Sequence, residues 1–220
     1  MTYSSSPMSA PQPAPLGLVQ TWTMALAPSE QNFQQIAADP SASAGRDYLW
    51  LFIASLIGGF ISGLINVAFN LVFHPALAST SGILVTVCGG PIFGAIIGLI
   101  GITINVAIVR FLASALGGTG SFTRLLHSYA AFFVPLVVVD SILGAIPIVN
   151  FILIFIGLYT LVLTVTATKA EENLSWGRAL VASLLVPILL IVLLACIIIV
   201  ALALLGPAIG GVFSSIITTL

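Results

Sequence analysis

The chain has 220 residues, 60% apolar and 5% charged, with five Lys and Arg against six Asp and Glu. Soluble domains carry roughly a quarter charged residues, so these few charges cannot cover a soluble fold of this length, and the net charge of −1 implies no nucleic-acid partner. Several apolar runs exceed the about 18 residues that cross a bilayer as a helix, and they are continuous rather than alternating as barrel strands would be. The expected fold is an all-α polytopic membrane protein with five transmembrane helices, in contact with the lipid bilayer.

Residues 1–20 form a Pro/Ser/Ala-rich tail that cannot bury enough apolar surface to order itself. It lacks the basic n-region and apolar h-region of a cleaved signal peptide. Residues 21–45 form a short amphipathic interfacial segment. Pro28 and Ser29 mark a helix start, with Ser29 able to cap. Phe33, Ile36 and Ala37 then share one face, and Pro40 stops the helix. This helix either lies on the membrane surface, with Trp22 at the interface, or packs on the end of the bundle.

Residues 46–220 form the transmembrane domain. Spans are expected at about 48–73, 83–109, 129–143, 148–168 and 179–205. A Gly-rich loop bearing Arg124 and His127 precedes the third, and a polar loop from Lys169 to Arg178 precedes the fifth. In that second loop Glu171 and Glu172 read as a solvated pair, and Ser175 is placed to cap the last helix. Gly206-Pro207 breaks that helix, leaving an apolar tail too short to span. All five basic residues (Arg46, Arg110, Arg124, Lys169, Arg178) fall on one side of the five-span arrangement. The positive-inside rule then places the N-terminus in the cytoplasm and the C-terminus outside.

Small residues repeat every four positions in the first span (Ser55, Gly59, Gly63) and the second (Gly90, Gly94, Gly98). Such faces allow close backbone approach, either between these two spans or in a homo-oligomer. Pro91 sits near the start of the second span, where proline is best tolerated. Pro135 deprives the Ala131 carbonyl of its usual donor and predicts a kink in the third span. Asp140 is the only acidic residue within an apolar run. An unpaired charge there is costly, so it should face the interior, protonated or hydrogen-bonded to neutral partners. Thr160 matches its depth, Asn66 lies further out, and Asn105 lies near the inner end of span two. These four are the candidate intramembrane polar site, either a proton or cation path or a set of interhelical pins. Arg124 and His127 could meet lipid phosphates. Cys88 and Cys196 lie in apolar segments and offer no disulfide or metal framework. Gly117-Gly118-Thr119-Gly120 lacks the GK[ST] of a phosphate loop. No catalytic set stands out, and no cofactor is expected.

The pattern resembles the Yip1 domain family. The similarity begins at Leu26-Ala27-Pro28, Phe33, Ile36 and Asp39-Pro40. It is strongest from Gly117, Gly118 and Gly120 through Arg124 to Leu126, continues through Tyr129-Ala130, Pro135 and Ile146-Pro147, and ends at Leu174 to Ala179, with Ser175 and Arg178, and Pro187. It covers about residues 22–205. The resemblance implies a five-helix membrane protein with its N-terminus inside and no enzymatic chemistry. Eukaryotic relatives bind Rab-type GTPases and act in vesicle traffic between ER and Golgi. The Asp-Leu-Tyr-Gly-Pro type of segment is not found here, which counts against a small GTPase as partner. A prokaryotic-type member in the plasma membrane is expected, or an ER/Golgi protein if eukaryotic. The functional expectation is a non-enzymatic scaffold, assembly or trafficking-type factor with a membrane-protein partner or a second copy. The alternative is a small channel, transporter or lipid-moving protein using Asp140 and the Asn residues.

Overall fold

The computed structural model describes residues 14–73, 80–146 and 149–219. Among the described residues the chain is helical, with no strand: α1 (Leu18–Ala25), α2 (Glu30–Ala37), α3 (Ala44–Phe73), α4 (Thr80–Leu84), α5 (Gly90–Ala115), α6 (Phe122–Gly144), α7 (Ile152–Glu172) and α8 (Trp176–Thr219). Among the described residues, four stretches are long and apolar enough to cross a membrane: Ala44–Phe73, Thr80–Ala115, Phe122–Gly144 and Ile152–Glu172.

The N-terminal module is two helices rather than one. Ser29 occupies the N-cap position of α2, but its side chain makes no capping hydrogen bond. The apolar face expected from spacing is real: Phe33, Ile36 and Ala37 are buried. That face is taken up by the bundle, where Phe33 meets the Phe132 ring edge-on at 6.2 Å. Helix α2 ends before Pro40, and Ser41 returns two hydrogen bonds to Asp39, from its N–H at 2.8 Å and its hydroxyl at 2.6 Å.

Helix α3 packs along α5 and α6 through one face, on which Asp47, Leu51, Ala54 and Gly58 are buried. Their spacing of three and four is the helical period, so a single stripe serves both neighbours. Between α4 and α5 the helix widens into a π turn, Val85–Gly89, with Gly90 N–H bonded to the Val85 carbonyl. Pro91 follows at once. It has no N–H for the carbonyl four residues back, and the wider turn re-registers the ladder just ahead of the ring.

Helix α6 is the most enclosed element, with more than half of its apolar stretch buried. It begins at Phe122 and not at Tyr129, because the Ser121 hydroxyl accepts a hydrogen bond from Arg124 N–H at 3.3 Å. Arg124 and His127 are therefore helical and not in a loop. Pro135 lies inside this helix. Likewise α7 extends through Lys169 to Glu172, stopping where Asn173 turns left-handed at φ 53°. Helix α8 does not break at Gly206-Pro207 but continues to Thr219. Membrane helices tolerate interior proline where neighbouring groups or a local adjustment of the helix re-satisfy the freed carbonyl.

Candidate functional site

The polar residues that converge lie at one end of the bundle. Three successive residues of α6, each fully buried, point to different neighbours. His127 Nδ1 lies 2.7 Å from Asp47 Oδ1 of α3, and its Nε2 is 3.8 Å from Asp39 Oδ2. The Ser128 hydroxyl donates to Glu171 of α7. The Tyr129 hydroxyl pairs at 2.9 Å with Thr168, which also receives a bond from Ser183 of α8. One helical turn thus ties α3, α7 and α8 to α6.

Cations close the rim. Arg46 reaches Asp39 at 3.4 Å and stacks over the Trp50 ring. Arg124 lies 3.7 Å from Glu171, Arg110 contacts Glu172 at 3.0 Å, and Lys169 pairs with Glu30 of α2. Glu171 and Glu172 are buried, not a solvated pair. Helix α7 carries them into the bundle end, where Ser128, the Gly120 N–H, Arg124 and Arg110 offset only part of their desolvation. His127 is equally enclosed and so has no surface to offer lipid phosphate, whereas Arg124 keeps about half its side chain exposed. Among the described residues no group of three His, Cys, Asp or Glu is placed to hold a metal ion.

Asp39, between α2 and α3, shows how the end is held. Burial alone would raise its pKa, but the two Ser41 hydrogen bonds and the charges of Arg46 and His127 outweigh it and hold the carboxyl below its ordinary value of 3.8. A depressed carboxyl stabilises the fold above its unfolded value, and that contribution is lost as pH falls through the folded value. Asp39→Asn is therefore expected to cost about 2 kcal/mol near neutral pH. Acid titration of thermal stability should bring variant and wild type together below pH 3.8.

Among the described residues, the four polar residues expected inside the membrane do not share either of the two clefts that Asn66 and Asn105 line. Asn66 donates to Ser62 O and Thr160 donates to Ile156 O, each within its own helix. Asn66 lines a cleft of about 450 Å³ between α3, α5 and α6, together with Gly59, Gly63, Gly90, Gly94 and Gly98. Asn105 lines a second cleft of about 330 Å³ that shares Ser55, Gly98 and Val137 with the first. Asp140 and Thr160 line neither, and Asp140 Oδ1 is buried without a hydrogen-bond partner. The glycine faces divide in two. A Cβ on Gly59 would come within 3.1 Å of Pro91, and one on Gly63 within 2.7 Å of Thr86 O, so these glycines set the α3–α5 approach. Gly94 and Gly98 have nothing within 4 Å of such a Cβ.

A family profile for the Yip1 domain matches residues 22–198. The chain belongs to the Yip1 domain family. It is thereby an integral membrane protein of a family without enzymatic activity. No curated protein and no solved structure matches it. The stretches that carried the resemblance to Yip1 proteins meet at the charged end. Gly117 turns at φ +92°, and its added Cβ would lie 3.7 Å from Arg178, whose guanidinium donates to Leu116 O at 3.3 Å. Gly118 and Gly120 press on Glu172, with Gly120 N–H donating to its carboxylate at 2.9 Å. Ser175 precedes α8, and its carbonyl accepts from Ala179 N–H at 3.0 Å. Pro147 lies outside the described residues, as does His74.

Reading the sequence missed Asp39, Asp47, Ser128, Glu171 and Glu172 as members of this end. One signal was present: like the basic residues, every acidic residue but Asp140 falls before the first span or in a loop on that same side.

Proposed function

We propose that this Yip1 protein is a non-enzymatic membrane scaffold or assembly factor of trafficking type. It acts through lateral helix contacts and through the loops at its charged end. The observation that carries this reading is the scatter of Asp140, Asn66, Asn105 and Thr160, set against the mutual locking of the charged residues at one end. A conducting path would need polar groups on one cavity, while a scaffold needs a rigid end and open packing faces. Helix α8 carries apolar stretches Trp176–Leu189 and Ala195–Gly206, which support a fifth span. With the basic residues at one end, the positive-inside rule supports a cytoplasmic N-terminus and an external C-terminus. A prokaryotic-type plasma-membrane location and a membrane-protein partner or second copy fit this picture, and a small GTPase does not.

Affinity purification in native nanodiscs, with mass spectrometry, tests the role. Gly94→Leu/Gly98→Leu should leave the fold intact, because both positions are open. It should lower recovery of a membrane-protein partner by about tenfold, the equivalent of about 1.4 kcal/mol. Unchanged recovery, or no partner with wild type, would sink the lateral-contact reading. The abutting clefts of Asn66 and Asn105 favour a second reading, a small channel, transporter or lipid-moving protein. Under it, reconstituted ion or lipid flux would be abolished by Asn66→Leu/Asn105→Leu, which fills those clefts; under the first, that variant changes no flux, and Asp140→Asn folds and changes nothing.

A further inference from the structure

Both flanks of the α1–α2 turn touch α7. Glu30 pairs with Lys169, while the Leu26 carbonyl accepts a hydrogen bond from the Tyr159 hydroxyl. Tyr159 and Lys169 are ten residues apart, about 15 Å along a helix. The turn between α1 and α2, flanked by Leu26 and Glu30, therefore sits beside the apolar stretch of α7 between these two residues, on the core side of the buried charges. Helix α1 keeps that depth: Leu18 and Trp22 line a cleft with Ile57 and Val138. Val138 lies eleven residues beyond His127 on α6, about 16 Å from the buried charges.

The chemistry of α1 matches that place. No charged residue or histidine occurs from Leu16 to Ser29. Its hydroxyls are satisfied within the helix, Thr21 on Gly17 O and Thr23 on Val19 O and Gln20 O, all at 3.0 Å. The carbonyls at its end are taken as well: Met24 O by Asn32 Nδ2 at 3.1 Å and Leu26 O by Tyr159. Water would satisfy such groups, whereas acyl chains cannot. The outward face nevertheless exposes Leu18 at 39% and Val19 at 66%, beside uncharged Gln20 and Thr23.

We infer that α1 is immersed in the acyl layer of the leaflet at the charged end, and that its Leu18–Val19 face binds lipid chains there. The hairpin adds two helices to that half of the bundle. The protein then acts as a wedge favouring membranes convex on that side, whichever compartment it faces.

The test uses the full chain with Cys88→Ser and Cys196→Ser, reconstituted in phosphatidylcholine vesicles. A nitroxide on Val19→Cys is compared with one on Leu64→Cys, exposed in α3, and one on Ser114→Cys, exposed just before the Gly-rich loop. Relaxation at Val19 should respond to oxygen as at Leu64, with the response to a water-soluble nickel complex lost. A Val19 label as open to nickel as that at Ser114 would overturn the immersion. For the wedge, molecules with the charged end outward are scored by impermeant labelling of Ser114→Cys. They should be enriched in small vesicles over large ones, and Val19→Glu should lose that enrichment while keeping the bundle contacts. Equal density of the parent chain in both vesicle sizes would overturn the wedge.

Discussion

Replacing Glu172 with Ala is expected to destabilise the protein by about 3–5 kcal/mol, the usual cost of removing one partner from a buried ion pair. Glu172 is fully buried at the end of α7 and holds three elements through one carboxylate. Arg110 of α5 donates to it at 3.0 Å, and Gly120 N–H of the loop before α6 donates at 2.9 Å. Its removal leaves a partly enclosed guanidinium and a backbone donor without their acceptor, and opens a void between α5 and α7. Arg110→Ala should cost at least as much, because it strands the fully buried Glu172 carboxylate, whereas Glu172→Ala leaves a guanidinium that is 26% exposed. The measurement is unfolding of the detergent-solubilised chain for both single variants and the double. A double variant no worse than Glu172→Ala would show that the two act as one unit. A loss below about 1 kcal/mol for Glu172→Ala would place the pair in solvent-like surroundings instead.

Gly120→Ala is the second large effect. The added Cβ would lie 2.5 Å from the Glu171 carbonyl oxygen and within 2.9 Å of the Glu172 carboxylate. The first obstacle is backbone and cannot rotate away, so the loop has to lift off α7 and give up its hydrogen bond to Glu172. Overpacking costs about 1–3 kcal/mol, and the lost charge-assisted bond adds about 1.5–3 kcal/mol. Gly94→Ala provides the control. Nothing lies within 4 Å of its Cβ, and a helical Gly→Ala change is neutral or stabilising by up to about 1 kcal/mol. Thermal unfolding of the two variants side by side checks both statements. Equal behaviour would mean that the Gly-rich loop is not seated on α7.

The opposite behaviour of these two glycines illustrates the limit of reading by spacing. Ser55, Gly59 and Gly63 repeat at the same spacing as Gly90, Gly94 and Gly98, yet only Gly59 and Gly63 make the close approach, against Pro91 and Thr86, while Gly94 and Gly98 stay open. Period alone says that a face is small. It does not say which way the helix is rotated.

The class, four of the five expected apolar spans, the position of Pro135 within a helix, the apolar face of α2 and the Yip1 resemblance were all legible in the residues. Each of these follows from the local free energy of a segment: apolar runs partition into hydrocarbon, and Phe33, Ile36 and Ala37 share a face whatever lies opposite. The same hydropathy misplaced the helix ends. Arg124, His127, Lys169, Glu171 and Glu172 read as loop because they are polar, while α6 and α7 carry them as helix into a buried end. Packing between helices makes the difference. A buried carboxylate is tolerable when a donor from another element reaches it, and the partners here are far apart in the chain: Asp47 with His127, Arg110 with Glu172, Glu30 with Lys169. Such pairings depend on the level and rotation of whole helices, which packing sets, and no local window of sequence contains them.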